Sequence, residues 1–371
     1  MNFALSDDHR MLRDSARAFL DEEVNLQPLL KRGATVEQVD YLGMWGKIAE
    51  LGWPSLIVPE AYQGLGMSCL DLAMILQEMG RALLPCPISG ALAGVWSILK
   101  GGSEAQKERL LPMAVTGDLK LALAVCDADG TCDGPASDAR ATADGDDWRL
   151  NGSKAFVVDA AAADMIVVAA ENGGRRGLYL VDATAAGVEI ELLRWRDTTR
   201  QLCNVRFANA SAELIAADDA EIWPWIKDRL LLVLSAENAG GLQKVLEMST
   251  EYAKQRMAFG RPIGANQAIK HGLAETFGLV ECSNAAVLYA AWMLSEAQPS
   301  ASLAATMAKA YTSDAYRKAT HQNIQVFGAI GFTWEMTNHL YFKRARANAE
   351  MLGGTAELRS HVIDLLMREA A

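Results

Sequence analysis

The spacing of apolar positions changes period twice along the chain. Ser6 is a good N-cap, with Asp7 and Asp8 in the first turn and Met11, Leu12, Ala16, Phe19 and Leu20 at helical spacing behind it. Further helices are predicted over 36–51, ending near Gly52-Trp53-Pro54, over 69–81 and over 104–115. From Lys120 the apolar runs shorten to 121–125, 141–143, 148–152, 165–169, 177–181, 188–192 and 203–207, separated by Gly- and Asp-rich turns. That pattern predicts strands. The acidic, alanine-rich stretch 216–221 marks the return to helix, which runs on to about Arg368. The expected fold class is α+β, in the order helices, strands, helices. It divides into an N-terminal helical domain (1–118), a middle β domain (119–220) and a C-terminal helical bundle (221–371).

Composition narrows the classes of function. With 371 residues, 51% hydrophobic and 22% charged, the chain is long enough for two or three domains around a large core. A net charge of −11 argues against nucleic acid or an anionic membrane as the main partner, though local Arg and Lys leave room for an anionic ligand. The six cysteines are scattered without a CxxC pair, so a metal site is not expected and reduced thiols are. Cys126 and Cys132 are close enough to frame a small loop. No basic head or apolar signal core opens the sequence, and no run approaches ~18 uninterrupted apolar residues. These features lead to the expectation of a cytoplasmic protein that neither spans nor binds a membrane.

One stretch concentrates candidate chemistry. Within the helical run 228–281, Tyr252-Ala-Lys-Gln-Arg256 ends a helix, and a Gly- and Pro-bearing loop leads into a second helix at Gln267. It offers a permanent cation (Arg256), an aromatic ring (Phe259) and an amide (Gln267) on a rigid helix–loop–helix, a set suited to an anionic ligand with a flat ring. Tyr252-Ala-x-x-Arg256-x-x-Phe259-Gly-x-Pro-Ile-x-x-x-Gln267 resembles the FAD-contacting segment of the acyl-CoA dehydrogenase family. Val58-Pro-Glu…Gly-Leu-Gly66, the helix end Glu78-Met-Gly-Arg81 and Gln325-Val-Phe-Gly328-Ala-Ile-Gly-Phe extend the resemblance over nearly the whole chain.

The resemblance implies that the middle domain is β-barrel-like and the C-terminal part a four-helix bundle, with FAD as cofactor and α,β-dehydrogenation of an acyl-CoA thioester as the reaction. A Glu removes the α-proton while the β-hydrogen leaves as hydride to flavin N5. Arg256, Phe259, Gln267, Gln325 and Gly328 would reach a neighbouring subunit's FAD, which implies a homo- or heterotetramer, with an electron-acceptor flavoprotein as partner. Aligned on Asn151-Gly-x-Lys154, the family's flavin-side cradle falls on Cys126, Phe156 and Val158, so a hydroxyl donor is lost at Val158. The usual positions of the base fall on Gly353 and Leu230, neither of which can take a proton.

One carboxylate remains on the bundle helix. Glu237 stands two turns from Leu230, ~10 Å along the axis, among apolar residues that would raise its pKa toward a base's working range. Its Ala-Glu context, with Thr333-Trp-Glu…His339-Leu-Tyr-x-x-Arg344-Ala, is similar to the bacterial acyl-CoA dehydrogenases of steroid side-chain breakdown, which are α2β2 heterotetramers. The expected base is therefore Glu237, set against the plainer reading of a carboxylate paired with a bundle Arg or Lys. Asp228 matches a family position near the pantetheine and is the candidate substrate contact, against an ordinary helix-start acid. Arg200 is expected to pair with Asp197, against the alternative of touching an acyl ligand, and Trp334 and His339 are expected to pack at an interface. The rival function is a non-catalytic or half-site subunit of a heteromeric acyl-CoA dehydrogenase.

Overall fold

The computed structural model describes residues 5–145 and 147–369. Ser6 caps α1 (Asp7–Glu23) in a reciprocal capping box with His9. The helix predicted over 36–51 splits, because Asp40 accepts from the Gly43 amide and restarts the chain as α2 (Tyr41–Glu50). Then come α3 (Cys69–Ala82), α4 (Ile88–Gly101) and α5 (Glu104–Thr116). Sequence reading missed α4. It is apolar nearly all round and buried, so it shows no amphipathic stripe.

The strands β1 (Leu121–Ala124), β2 (Arg140–Asp144), β3 (Asp147–Val158), β4 (Met165–Asn172), β5 (Arg175–Asp182), β6 (Val188–Leu192) and β7 (Leu202–Ala216) form one sheet. Pairings β4–β2, β2–β3, β3–β7, β7–β5 and β5–β4 close a ring, so the middle of the chain is a barrel. Its interior is a core of its own, built on Val168, Tyr179, Val205 and their neighbours.

The bundle follows. Helix α6 (Ile222–Gln255) leads through a short hairpin, β8 (Met257–Ala258) and β9 (Arg261–Pro262), into α7 (Gln267–Ser295), α8 (Ala301–Phe327), α9 (Asn338–Glu350) and α10 (Thr355–Glu369). By length and composition, α7 alone among the described helices is long and apolar enough to cross a membrane, yet here it packs against α6 and α8.

The N-terminal helices and the bundle share a core through α3 and α6, which cross at glycines. A Cβ on Gly240 would lie 1.7 Å from the Gln77 carbonyl oxygen, and one on Gly80 would lie 2.1 Å from that of Glu237. The residues beside Gly80 in the Glu78-Met-Gly-Arg81 signature lock the same crossing. Glu78 pairs with Arg17 at 2.7 Å, and Arg81 with Asp21 at 2.8 Å and Glu247 at 3.1 Å. Backbone lies in the way on both sides, so no rotamer can relieve an added methyl. Gly240→Ala is expected to cost roughly 3 kcal/mol or more, read as a lowered urea midpoint.

Candidate active site

Where the three parts meet lies a cavity of about 850 Å³. The barrel contributes Val125, Cys126, Cys132, Phe156, Val158 and Arg200; the first helices contribute Ser89 and Gly90; the bundle contributes Lys227, Leu230, Leu234, Glu350, Leu352, Gly353, Gly354 and Glu357. Phe156 is aimed into it by local backbone geometry. The β3–β7 register slips between Lys154 and Val157, and within that bulge Phe156 takes φ 55°, leaving its ring 45% exposed at the cavity wall. Lys154, buried behind it, donates to the Val125 carbonyl at 2.8 Å and to Asp127 at 2.5 Å, which anchors β3 to the loop after β1.

Two expectations about that loop change. Cys126 is joined to Cys132 in a disulfide, so these two are not reduced thiols, and Cys126 meets the cavity as half of a cystine rather than as a thiol. The remaining four cysteines are free, Cys69, Cys86 and Cys203 being buried.

Glu237, the expected base, is paired with guanidinium groups rather than set in purely apolar surroundings. Its side chain is buried and absent from the cavity wall. Both carboxylate oxygens accept from Arg200 Nη2, at 2.6 and 2.5 Å. Arg344 Nη1 lies 3.6 Å away, and Asn348 and Ser89 donate at 3.3 Å. Burial alone would raise its pKa, but the charges of Arg200 and then Arg344, with these hydrogen bonds, leave it lowered. A carboxylate held ionised by two guanidinium groups is a poor proton acceptor.

The network runs further. Arg344 Nε pairs with Asp197 at 2.6 Å, so Asp197 takes Arg344 as its partner rather than the expected Arg200. Arg200 also donates to Asn348 at 3.1 Å and itself lines the cavity. Nearby, Asp159 accepts from Tyr41 Oη at 2.5 Å and from the Gly90 amide at 3.0 Å.

Asp228 also faces elsewhere. It accepts from Ser302 on α8 at 2.9 Å, while its neighbours Lys227 and Leu230 are among the α6 residues at the cavity wall. Burial, which outweighs the Ser302 hydrogen bond, raises its pKa to about 6. Trp334 and His339 pack edge to face at 4.9 Å, as expected of packing residues.

The arm residues gather away from the cavity. Tyr252 stacks on Phe327 at 4.1 Å, which joins the end of α6 to the end of α8. Arg256 and Phe259 project from the hairpin, Phe259 wholly exposed with φ 52°. Gln267 starts α7. Gly328 ends α8 at φ 67°, ψ −145°, a conformation side chains disfavour. Gln325 lines a groove of about 460 Å³ with Arg317, Lys318 and His321. Motifs separated by about 70 residues in sequence thus form one surface that no part of the same chain covers. Sequence reading missed Lys227, Glu350 and Glu357. The signal was present for the last, an acid in the first turn of a helix that follows Gly353-Gly354.

With this geometry in hand, comparison with known proteins identifies the chain's relatives. Its residues 6–118 match the acyl-CoA dehydrogenase N-terminal domain, and residues 229–365 match the acyl-CoA dehydrogenase C-terminal domain. The chain belongs to the acyl-CoA dehydrogenase family. It is 29% identical over 364 residues to the acyl-CoA dehydrogenase IpdE2 of Mycobacterium tuberculosis (strain ATCC 25618 / H37Rv), covering 95% of each chain. Against acyl-CoA dehydrogenase FadE12 of the same strain it is 30% identical over 312 residues, 79% of each. A solved variant of the Tcur3481-Tcur3483 steroid ACAD superposes with a TM-score of 0.88 at 28% identity, covering 98% of this chain and 99% of that one. The chain is therefore an oxidoreductase of acyl-CoA thioesters, and its three-part fold is that of the family.

Two outcomes follow for the buried charges. Glu237→Gln leaves Arg200 and Arg344 short of a counter-charge and is expected to cost about 3 kcal/mol in chemical denaturation, without abolishing turnover in the folded fraction. Asp159 behaves oppositely with pH. Burial, against the Tyr41 and Gly90 hydrogen bonds and the Arg200 charge, raises its pKa to about 6. The stability it contributes is full below its unfolded pKa near ~4 and is lost as pH rises through ~6. Asp159→Asn cannot ionise, so it should gain on the parent by on the order of 3 kcal/mol across that window, measured as paired denaturation curves.

Proposed function

We propose that the chain works as an FAD-dependent dehydrogenase of a bulky acyl-CoA, a steroid-derived thioester being the class best suited to it. The observation that carries this reading is the cavity wall at the family's two base positions. Leu230 and Gly353 stand there, and Gly353 and Gly354 bring no side chains of their own, so neither position puts a Glu into the cavity. A fused ring system fills such a wide, mostly apolar site better than a flexible chain does, because it loses little conformational entropy on binding. Likeness to the steroid ACAD structure supports the same substrate class.

The residues present suit FAD. Phe156 offers an aromatic face at the cavity, and the arm offers the exposed ring of Phe259, the Arg256 guanidinium for a pyrophosphate, and the amides of Gln267 and Gln325. The tight turn at Gly328 admits close backbone approach. Bound there, flavin supplies a two-electron acceptor for the β-hydrogen. Cavity and arm are separate surfaces of one chain, so each FAD would lie between a cavity of one subunit and the arm of another. A tetramer is the assembly we infer, passing electrons to a second flavoprotein in the cytoplasm. Large apolar side chains exposed on α7 and α8, among them Phe277 and Met307, give that assembly a surface to bury.

A second reading is favoured by one observation. Val158 and the Cys126–Cys132 cystine replace polar side chains of the flavin cradle, as a half-site subunit paired with a related chain would tolerate. The absorption spectrum separates the two. A self-sufficient enzyme purifies yellow and is bleached by a steroid side-chain acyl-CoA, whereas a half-site subunit is colourless alone and gains flavin only on co-expression with its partner. Arg256→Ala should lower flavin occupancy at least tenfold in either case, and unchanged occupancy would remove the arm from the site.

A further inference from the structure

We propose that Glu357 is the catalytic base of this enzyme, replacing from the C-terminal helix the carboxylate missing at residues 230 and 353. This inference rests on the dehydrogenase reading given above. A Cβ built on Gly353 would lie 3.4 Å from both the carboxyl carbon and Oε2 of Glu357. The carboxylate of Glu357 therefore sits close to where a Glu side chain at 353 would begin, and it lines the same cavity. Helix α10 starts at Thr355, so Glu357 is in its first turn and its carboxylate projects beside the Gly353-Gly354 turn. Leu352 and Gly353 both take positive φ, 59° and 106°, which folds that turn tightly enough for α10 to begin at the cavity edge.

The other carboxylates near the site are committed or point elsewhere. Glu237 is clamped by Arg200 and Arg344. Asp228 is held by Ser302, and Asp159 by Tyr41 and Gly90. Glu350 also lines the cavity, but its charge acts on Lys309, a buried lysine whose pKa burial lowers to about 8. Glu357 makes no hydrogen bond or ion pair with another described residue and is solvent-exposed until a ligand covers it. It is the exposed, unpaired carboxylate that lies beside Gly353, while Glu350 Oε2 lies 3.4 Å from a Cβ built on Gly354.

The step is a proton transfer. The α C–H bond of the thioester breaks, an O–H bond forms on Glu357, and the released electron pair enters the thioester carbonyl as an enolate. Reversal in D2O returns a deuteron to the α-carbon, because the exposed carboxyl exchanges with solvent. Exchange at the α-carbon thus reports the base directly, with no electron acceptor needed.

The test compares the flavin-loaded parent, Glu357→Gln and Glu350→Gln for α-deuterium incorporation into a steroid side-chain acyl-CoA, followed by mass spectrometry. The expected result is a loss of at least about 100-fold in Glu357→Gln and less than threefold in Glu350→Gln. A carboxylate returned by Leu230→Glu in the Glu357→Gln background should restore exchange tenfold or more, which a merely structural Glu357 would not allow. A second readout needs no turnover. Calorimetric binding of an enolisable 3-oxoacyl-CoA in buffers of different ionisation enthalpy should show the ligand's proton retained by the parent and released to buffer by Glu357→Gln. Exchange and proton retention in Glu357→Gln equal to the parent's would overturn the base assignment and leave the dehydrogenase reading standing. A flavin-loaded parent that exchanges no α-proton from any acyl-CoA would overturn both.

Discussion

The ion pair between Arg200 and Glu237 is the constraint on which the rest of the site depends. Arg200 comes from the segment just before β7 of the barrel, and Glu237 from the middle of α6 in the bundle. Ser89 on α4 reaches the same carboxylate. With Arg344 and Asp197 alongside, a buried cluster of opposite charges joins three structural parts at one point. Burying such charges costs several kcal/mol per ion, which mutual attraction and hydrogen bonds offset only when the geometry is close to ideal. The return is registration, because small shifts between the parts would leave a bare charge. The cavity beside this cluster inherits its shape from that registration.

The same cluster explains why an apolar run was a misleading guide to chemistry. From sequence, Glu237 is a lone acid in Leu230–Gly241, which suggests a raised pKa and a free carboxylate. Its partners come from elsewhere in the chain: Arg200 precedes it by 37 residues and Arg344 follows it by 107. Periodicity reports which face of a helix is buried, but not which side chains from other elements are buried against it. The arm was easier to read. Arg256, Phe259 and Gln267 sit within twelve residues on a hairpin and a helix start, so local pattern sufficed. Gln325 and Gly328 were assigned to the arm by resemblance alone, and in the structure the Tyr252–Phe327 stack joins their helix end to it.

The strands of the barrel were legible in alternation, and their closure was expected from the family resemblance rather than from pattern. Alternation marks each strand, whereas closure depends on β4 pairing with both β2 and β5, a matter of tertiary register. The bulge that turns out Phe156 was likewise invisible, since its cause is an offset between β3 and β7. The disulfide lay at the limit of what spacing can tell. Cys126 and Cys132 are six residues apart, a separation that suits a loop yet says nothing of whether both sulfurs face each other.

Small residues govern how substrate space and proton chemistry are shared in this fold. Glycines at 80 and 240 bring α3 and α6 into backbone contact. Glycines at 353 and 354 open the front wall, at the expense of a carboxylate in the turn itself. An acid in the turn would hold its proton acceptor on a short tether but fill the entrance. Moving the acid one turn along, onto the start of α10, keeps a carboxyl at the wall while its stem lies outside the turn. Room for a bulky acyl group and a displaced base are thus two results of the same pair of glycines.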